Sequence, residues 1–339
     1  MFTPIETSIG AILLHQATST LLYQNGNVLG ASGFLRQLLT APSKDTIAFF
    51  VGMATSYLPL TAFVPQVLTS FPLAPTTLQA ALVTLGVGAL IGLGTKMSNG
   101  CTSGHMLCGL ARLSGRSAVA VGTFFPVAII THHLVHPTLY TQACPPDSVP
   151  CYTPVYPTTT TTASLILVAS ISIVSARLLP KLLESLFASP FTDEKHASDS
   201  SHALARRTTF FFSGLLFALG LHISGMVHPA KVVSFLSFPV MRQWDPSLAL
   251  ILLFGVLPHL VEIQWKGFGS PPTFSKHFSL PTKTWKDMDV KFVAGAAAFG
   301  LGWGLTGTCP GPAVLRALAQ PSWGLLWIGG FWLGGRVVS

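Results

Sequence analysis

No Asp, Glu, Lys or Arg occurs between Thr46 and Thr95, and Asp147 is the only one between Ser117 and Ala176. Such stretches hold repeated apolar runs of roughly 20 residues, the length an α-helix needs to cross a bilayer. The pattern predicts an all-α polytopic membrane protein with nine spans, at about 8–23, 46–68, 76–95, 117–137, 158–177, 208–228, 246–265, 288–306 and 321–336. The N-terminus lacks the basic region of a cleaved signal, so the first apolar stretch is read as a retained span.

Composition agrees with this reading. Half of the 339 residues are hydrophobic and 9% are charged, against roughly a quarter charged in soluble domains. The formal net charge of +8 is therefore read as a topology signal, with no nucleic-acid partner expected. With nine spans, 16 of the 19 Lys and Arg residues fall on one side. The positive-inside rule makes that side cytoplasmic, with the N-terminus outside and the C-terminus inside. The plasma membrane is the expected location, and the lipid bilayer is the expected surrounding.

Between the spans lie four related interruptions. They are Gly30-Ala31-Ser32-Gly33-Phe34, Gly100-Cys101-Thr102-Ser103-Gly104-His105, Ile223-Ser224-Gly225-Met226 and Gly307-Thr308-Cys309-Pro310-Gly311-Pro312. Each precedes an apolar stretch too short to span, at about 33–40, 104–114, 230–239 and 312–319. These are read as re-entrant half-helices, because irregular backbone at membrane depth survives only inside protein or beside a cavity. Gly-rich kinks in ordinary packed spans are the alternative. In the nine-span arrangement the first two breaks enter from the cytoplasm and the last two from outside. That is the inverted repeat common among transporters. The halves are placed at residues 1–178 and 208–339, joined by a polar, flexible cytoplasmic linker at 179–207.

The cysteines carry the candidate chemistry. Cys101 and Cys309 occupy matching places in two of the breaks, and Ser32 and Ser224 stand in the other two. Cys108 follows Cys101 by seven positions, as a further path contact or a packing residue. Ser103, His105 and Lys231 complete the expected path. The glycines Gly33, Gly100, Gly104, Gly225, Gly307 and Gly311 allow sharp turns and close backbone approach. Thiols offer a weak donor and a polarizable surface, which suits soft sulfur-bearing anions. Half-helix N-termini add backbone N–H groups and positive dipole ends. Cys101, His105 and Cys108 supply only three metal ligands by spacing, so neither metal nor cofactor is expected. No nucleotide loop, haem motif or Cys-x-x-Cys pair is present, and no enzyme is expected. Cys144 and Cys151 lie in the outer loop, where they form a disulfide or remain two free thiols.

The segment from Gly92 to Ser117 resembles the signature of the YeeE/YedE sulfur-transport family, through Asn99-Gly100-Cys101-Thr102-Ser103-Gly104-His105 and Cys108-Gly109-Leu110-Ala111-Arg112. The second half resembles the small partner subunits of that family. Its marks are Ser224-Gly225-Met226, Pro229-Ala230-Lys231-Val232, Trp244-Asp245-Pro246-Ser247 and Cys309-Pro310-Gly311-Pro312. The chain thus looks like a fusion of two half-proteins, with the resemblance covering most of 20–136 and 210–336. It implies transport of thiosulfate or a related small sulfur anion along a narrow, cysteine-lined centre. A cytoplasmic sulfur-accepting protein is a possible partner of unknown identity. Ser32 departs from members that carry a third cysteine in the first repeat. A passive anion channel and a membrane thiol redox or sulfurtransferase enzyme remain the alternatives.

Overall fold

The computed structural model describes residues 1–139, 149–187 and 194–338. In chain order its helices are α1 (Pro4–Asn25), α2 (Ala31–Thr40), α3 (Lys44–Phe63), α4 (Leu78–Met97), α5 (Ser103–Leu110), α6 (Gly115–Leu139) and α7 (Thr159–Phe187). There follow α8 (Glu194–Ile223), α9 (Pro229–Leu236), α10 (Pro246–Lys266), α11 (Val290–Thr306), α12 (Pro310–Ala319) and α13 (Pro321–Val337). No strand occurs among the described residues beyond isolated bridges.

Helices stand at all nine segments expected to be long. Six of them, α3, α4, α6, α7, α8 and α10, are long and apolar enough to cross a membrane. The pair α11 and α12, bent by 41° at the Gly307 break, makes a seventh if it is one span. This is an integral membrane protein. Apart from α11, which has only 17 residues on its own, two of the nine segments fall below that threshold for different reasons. The 22 residues of α1 include Thr, Ser, Gln and His, and Thr7, Thr18, Ser19 and Gln24 are buried inside the bundle. The last helix, α13, is apolar but has only 17 residues.

Close helix packing follows from glycine. Gly88 and Gly92 of α4 and Gly330 and Gly334 of α13 form two small-xxx-small stripes face to face. A Cβ on Gly92 would stand 2.1 Å from the Phe331 carbonyl oxygen, and one on Gly334 would stand 1.9 Å from that of Ala89. The contact of α3 with α8 is built the same way: a Cβ on Gly52 would meet the Phe211 oxygen at 1.9 Å.

All four breaks share a backbone device. The long helix before each one ends at or near a residue in the left-handed region, and a short helix starts within a few residues. These residues are Gly26 (φ 72°), Asn99 (φ 53°), Gly225 (φ 76°) and Gly307 (φ 64°). At Gly307 the turned backbone N–H still donates to the Trp303 oxygen at 2.7 Å, satisfying one of the carbonyls that a helix end leaves open. The four short helices that follow are α2, α5, α9 and α12. Of these, α5 has wider π-type turns, a geometry found mostly as local insertions at functional sites.

The polar segment expected as a linker is helical over much of its length. Helix α7 continues to Phe187 and α8 begins at Glu194, with Pro180 carried inside α7. Residues 188–193 lie outside the described part.

Candidate functional site

The first turns of three short helices meet at the centre of the bundle. The Ala31 N–H, at the start of α2, donates to Ser103 Oγ at 2.9 Å. Thr102, just before α5, donates its hydroxyl to Cys309 Sγ at 3.4 Å. Cys309 is itself the residue preceding α12, and its carbonyl accepts the Ala313 N–H at 2.9 Å. The matching carbonyl of Cys101 accepts the His105 N–H at 2.9 Å. Three breaks are thus tied together by hydroxyls from the second one.

Cys101 and Cys309 line one small cavity there, with Ala31, Phe217, Met226 and Pro312 among the other walls. Its volume is about 10 Å³, room for no more than about one water molecule. Both thiols are free and buried, at 1% and 4% exposure. Ser103 Oγ lies 3.3 Å from Cys101 Sγ. The third break contributes Met226, one residue beyond Gly225.

Two larger vestibules adjoin this small centre. The larger, about 720 Å³, is reached past Gly30, Ser32, Gly33, Gly100 and Gly104. Four cations face it, Arg36, Arg112, Arg116 and Lys283, and no Asp or Glu is among its lining residues. Clefts walled by one sign of charge concentrate counter-ions, so this mouth favours anions. The smaller vestibule, about 360 Å³, is lined by Gly225, His228, Lys231, His222 and Glu6. Lys231 Nζ donates to Thr3 Oγ1 there. Neighbouring residues connect the three spaces: Gly30 with Ala31, Gly100 with Cys101, and Gly225 with Met226.

The residues singled out in the sequence therefore divide. Cys101, Cys309, Ser103 and Gly311 reach the central cavity. Ser32, Gly33, Gly100, Gly104 and His105 line the basic vestibule. His105 is fixed between Ser117 Oγ and the Ser98 carbonyl, each at 3.1 Å. Cys108 lies outside both spaces and donates to the Leu29 carbonyl at 3.3 Å, bracing the approach to α2. Ser224 is buried and turned onto the Leu221 carbonyl of its own helix at 3.3 Å. Gly307 shapes the turn and packs on Pro229, where a Cβ would stand 2.5 Å from the carbonyl oxygen. Arg316 stacks over Trp323 at 4.2 Å and donates to the Pro72 carbonyl, away from either mouth.

Sequence reading passed over Thr102, Met226 and the vestibule arginines as site residues. The arginines counted only as topology markers, and a threonine beside a cysteine carries no signal until the partner half is placed. A further group also escaped it. His15, His259 and Glu262 offer ligand atoms within 4.8 Å of one another. Glu262 is also ion-paired to Lys266 at 2.6 Å. Cys151 is buried and disulfide-bonded; Cys144, the partner in the disulfide alternative, lies outside the described residues.

Comparison with known proteins matches residues 207–338 to a family described as a family of unknown function, DUF6691. Two proteins of Xylella fastidiosa strain 9a5c, each described as a "Probable transporter", are similar to parts of the chain. One is 39% identical over 115 residues, which is 34% of this chain and 77% of that protein. The other is 44% identical over 119 residues, 34% of this chain and 83% of that protein. A protein of strain Temecula1 with the same description is 38% identical over 113 residues, 33% of this chain and 74% of that protein. No solved structure matches. With identity at this level over most of each relative's length, the chain belongs to the family of these proteins described as probable transporters.

Proposed function

We propose that the protein carries a small sulfur-bearing anion, thiosulfate foremost, through the centre where Cys101 and Cys309 meet. The observation that carries this reading is that two free thiols from opposite halves of the chain line one small cavity whose walls neighbour those of both vestibules. Thiosulfate is a divalent anion with a soft terminal sulfur. The basic vestibule attracts the charge, the short-helix N-termini offer N–H donors, and the thiols meet the sulfur. Binding distributed over several weak contacts suits transport, because a tightly held anion leaves slowly.

The nine-span arrangement belongs to the same proposal, with α1 and α13 as spans and α2, α5, α9 and α12 re-entrant. The basic vestibule is then cytoplasmic and the one holding Lys231 external. A cavity of about 10 Å³ favours a path that opens to one side at a time over a continuously open channel.

Uptake of radiolabelled thiosulfate into proteoliposomes tests this reading, with sulfate and sulfite as competitors. Saturable uptake, blocked by thiol alkylation and lost in Cys101→Ala/Cys309→Ala, is the expected result. Normal uptake by a folded double variant would remove the thiols from the path. Uptake of sulfate equal to that of thiosulfate would remove the sulfur selectivity.

A further inference from the structure

A second basic pocket, of about 560 Å³, lies outside the transport path where the ends of α4 and α13 meet α2. Arg36, Lys96 and Arg336 line it, together with Thr40, Phe331 and Trp332. None of its lining residues is acidic, and none of the three cations is ion-paired among the described residues. Arg36 is held from behind: its Nη2 donates to the Gly92 carbonyl and Thr95 Oγ1, while its Nε is buried without a partner. Arg336 stacks on Trp332 at 5.3 Å, so an aromatic ring and a cation stand side by side at the helix end.

An apolar groove of about 650 Å³ continues from this pocket along α13, sharing Leu39 and Trp332 with it. Its walls include Gly324, Leu325 and Ile328, and no charged residue lines it. Gly329 leaves its floor open, since a Cβ there would meet nothing within 4 Å. From Trp332 back to Pro321 the helix rises about 16 Å, close to the roughly 15 Å of hydrocarbon in one leaflet. Three cations therefore stand at the head of an apolar slot one acyl chain long.

We propose that this pocket and groove bind one anionic diacyl phospholipid, with the phosphate among Arg36, Lys96 and Arg336 and an acyl chain lying along α13 over Gly329. Charge complementarity selects an acidic headgroup, since basic pockets between membrane helices favour such lipids. The groove demands a tail. Arg36 also faces the basic vestibule, so the bound phosphate stands one guanidinium away from the anion mouth. The inference needs only the membrane placement and not the identity of the transported anion.

Native mass spectrometry of the full chain, released from mixed micelles holding equal phosphatidylglycerol and phosphatidylcholine, tests it. The expected result is one retained phosphatidylglycerol per chain. Lys96→Gln/Arg336→Gln should lower its preference over phosphatidylcholine by roughly fivefold per cation removed. Gly329→Leu should displace the lipid while leaving the basic pocket intact. Thermal unfolding of each variant without lipid confirms that the protein is folded. If Lys96→Gln/Arg336→Gln does not fold, Arg336→Gln alone supplies the same comparison. Equal retention of both lipids, unchanged by these substitutions, would overturn the proposal. So would displacement of the lipid by glycerol phosphate, which would leave a free anion site only. A dimer mass lost in Gly329→Leu would assign the groove to a second copy and overturn it as well.

Discussion

Thr102 and Cys309 lie 207 positions apart, yet the threonine hydroxyl donates to the cysteine sulfur at 3.4 Å at the centre of the molecule. That bond ties the second break to the fourth and orients one of the two thiols in the cavity. A net hydrogen bond of this kind contributes about 0.5–1.5 kcal/mol. Thr102→Val keeps the shape and removes the donor. We expect it to lower the apparent affinity for the transported anion about twofold to tenfold, with Thr102→Ser near wild type. Concentration-dependent uptake in proteoliposomes checks this, and equal behaviour of the two variants would show that the hydroxyl plays no part.

Ser103 joins the first break to the second. Its buried Oγ accepts the Ala31 N–H at 2.9 Å, an amide that the start of α2 cannot satisfy within its own helix. Ser103→Ala leaves that amide without a partner in a buried place, which costs about 1–3 kcal/mol. The expected outcome is a lower midpoint of thermal unfolding in detergent. An unchanged midpoint would mean that another acceptor, such as a water, replaces the hydroxyl.

Much of the helical framework was legible because charge is scarce. Long uncharged runs can be read as helices without knowing their neighbours, and helices stand at each of the nine segments. The four short helices were legible from Gly beside Ser or Cys. Two things were not. Helix α1 carries polar residues because it is enclosed by protein, so hydropathy alone understates its place. Cys108 and Ser224 resemble the site cysteines in sequence but face the Leu29 and Leu221 carbonyls. Spacing along a chain does not report the direction of a side chain in irregular backbone. The cavity itself needs residues from both halves and has no local signature.

Replacing Gly307 is costly for two physical reasons. Its φ of 64° is unfavourable for side chains other than glycine, and a Cβ would stand 2.5 Å from the Pro229 oxygen. Gly307→Ala should destabilise the protein by about 1–3 kcal/mol on the strained backbone alone. Gly122→Ala, inside α6 where a Cβ meets nothing within 4 Å, is the control and should leave stability unchanged or raise it by up to about 1 kcal/mol. Reversible denaturation in mixed micelles compares the two, and similar stabilities would refute the packing argument at the break.

Lys283 borders the basic vestibule as an exposed side chain. Its effect on an incoming anion is therefore long-range and screened, because charges in water interact little beyond about 10 Å at 0.1 M salt. Lys283→Gln should slow initial uptake of a divalent anion several-fold at about 10 mM ionic strength, where the screening length is roughly 30 Å. The difference should nearly vanish at 0.5 M salt. Vesicles must present the vestibule to the side where the anion is added, which the proposed orientation makes the cytoplasmic face. Right-side-out and inside-out membranes compared in one assay read steering and sidedness together. A salt-sensitive defect only in inside-out vesicles fits the four cations acting as a cytoplasmic funnel. The same defect confined to right-side-out vesicles would reverse the orientation, and a defect independent of salt would place Lys283 in direct contact with the anion.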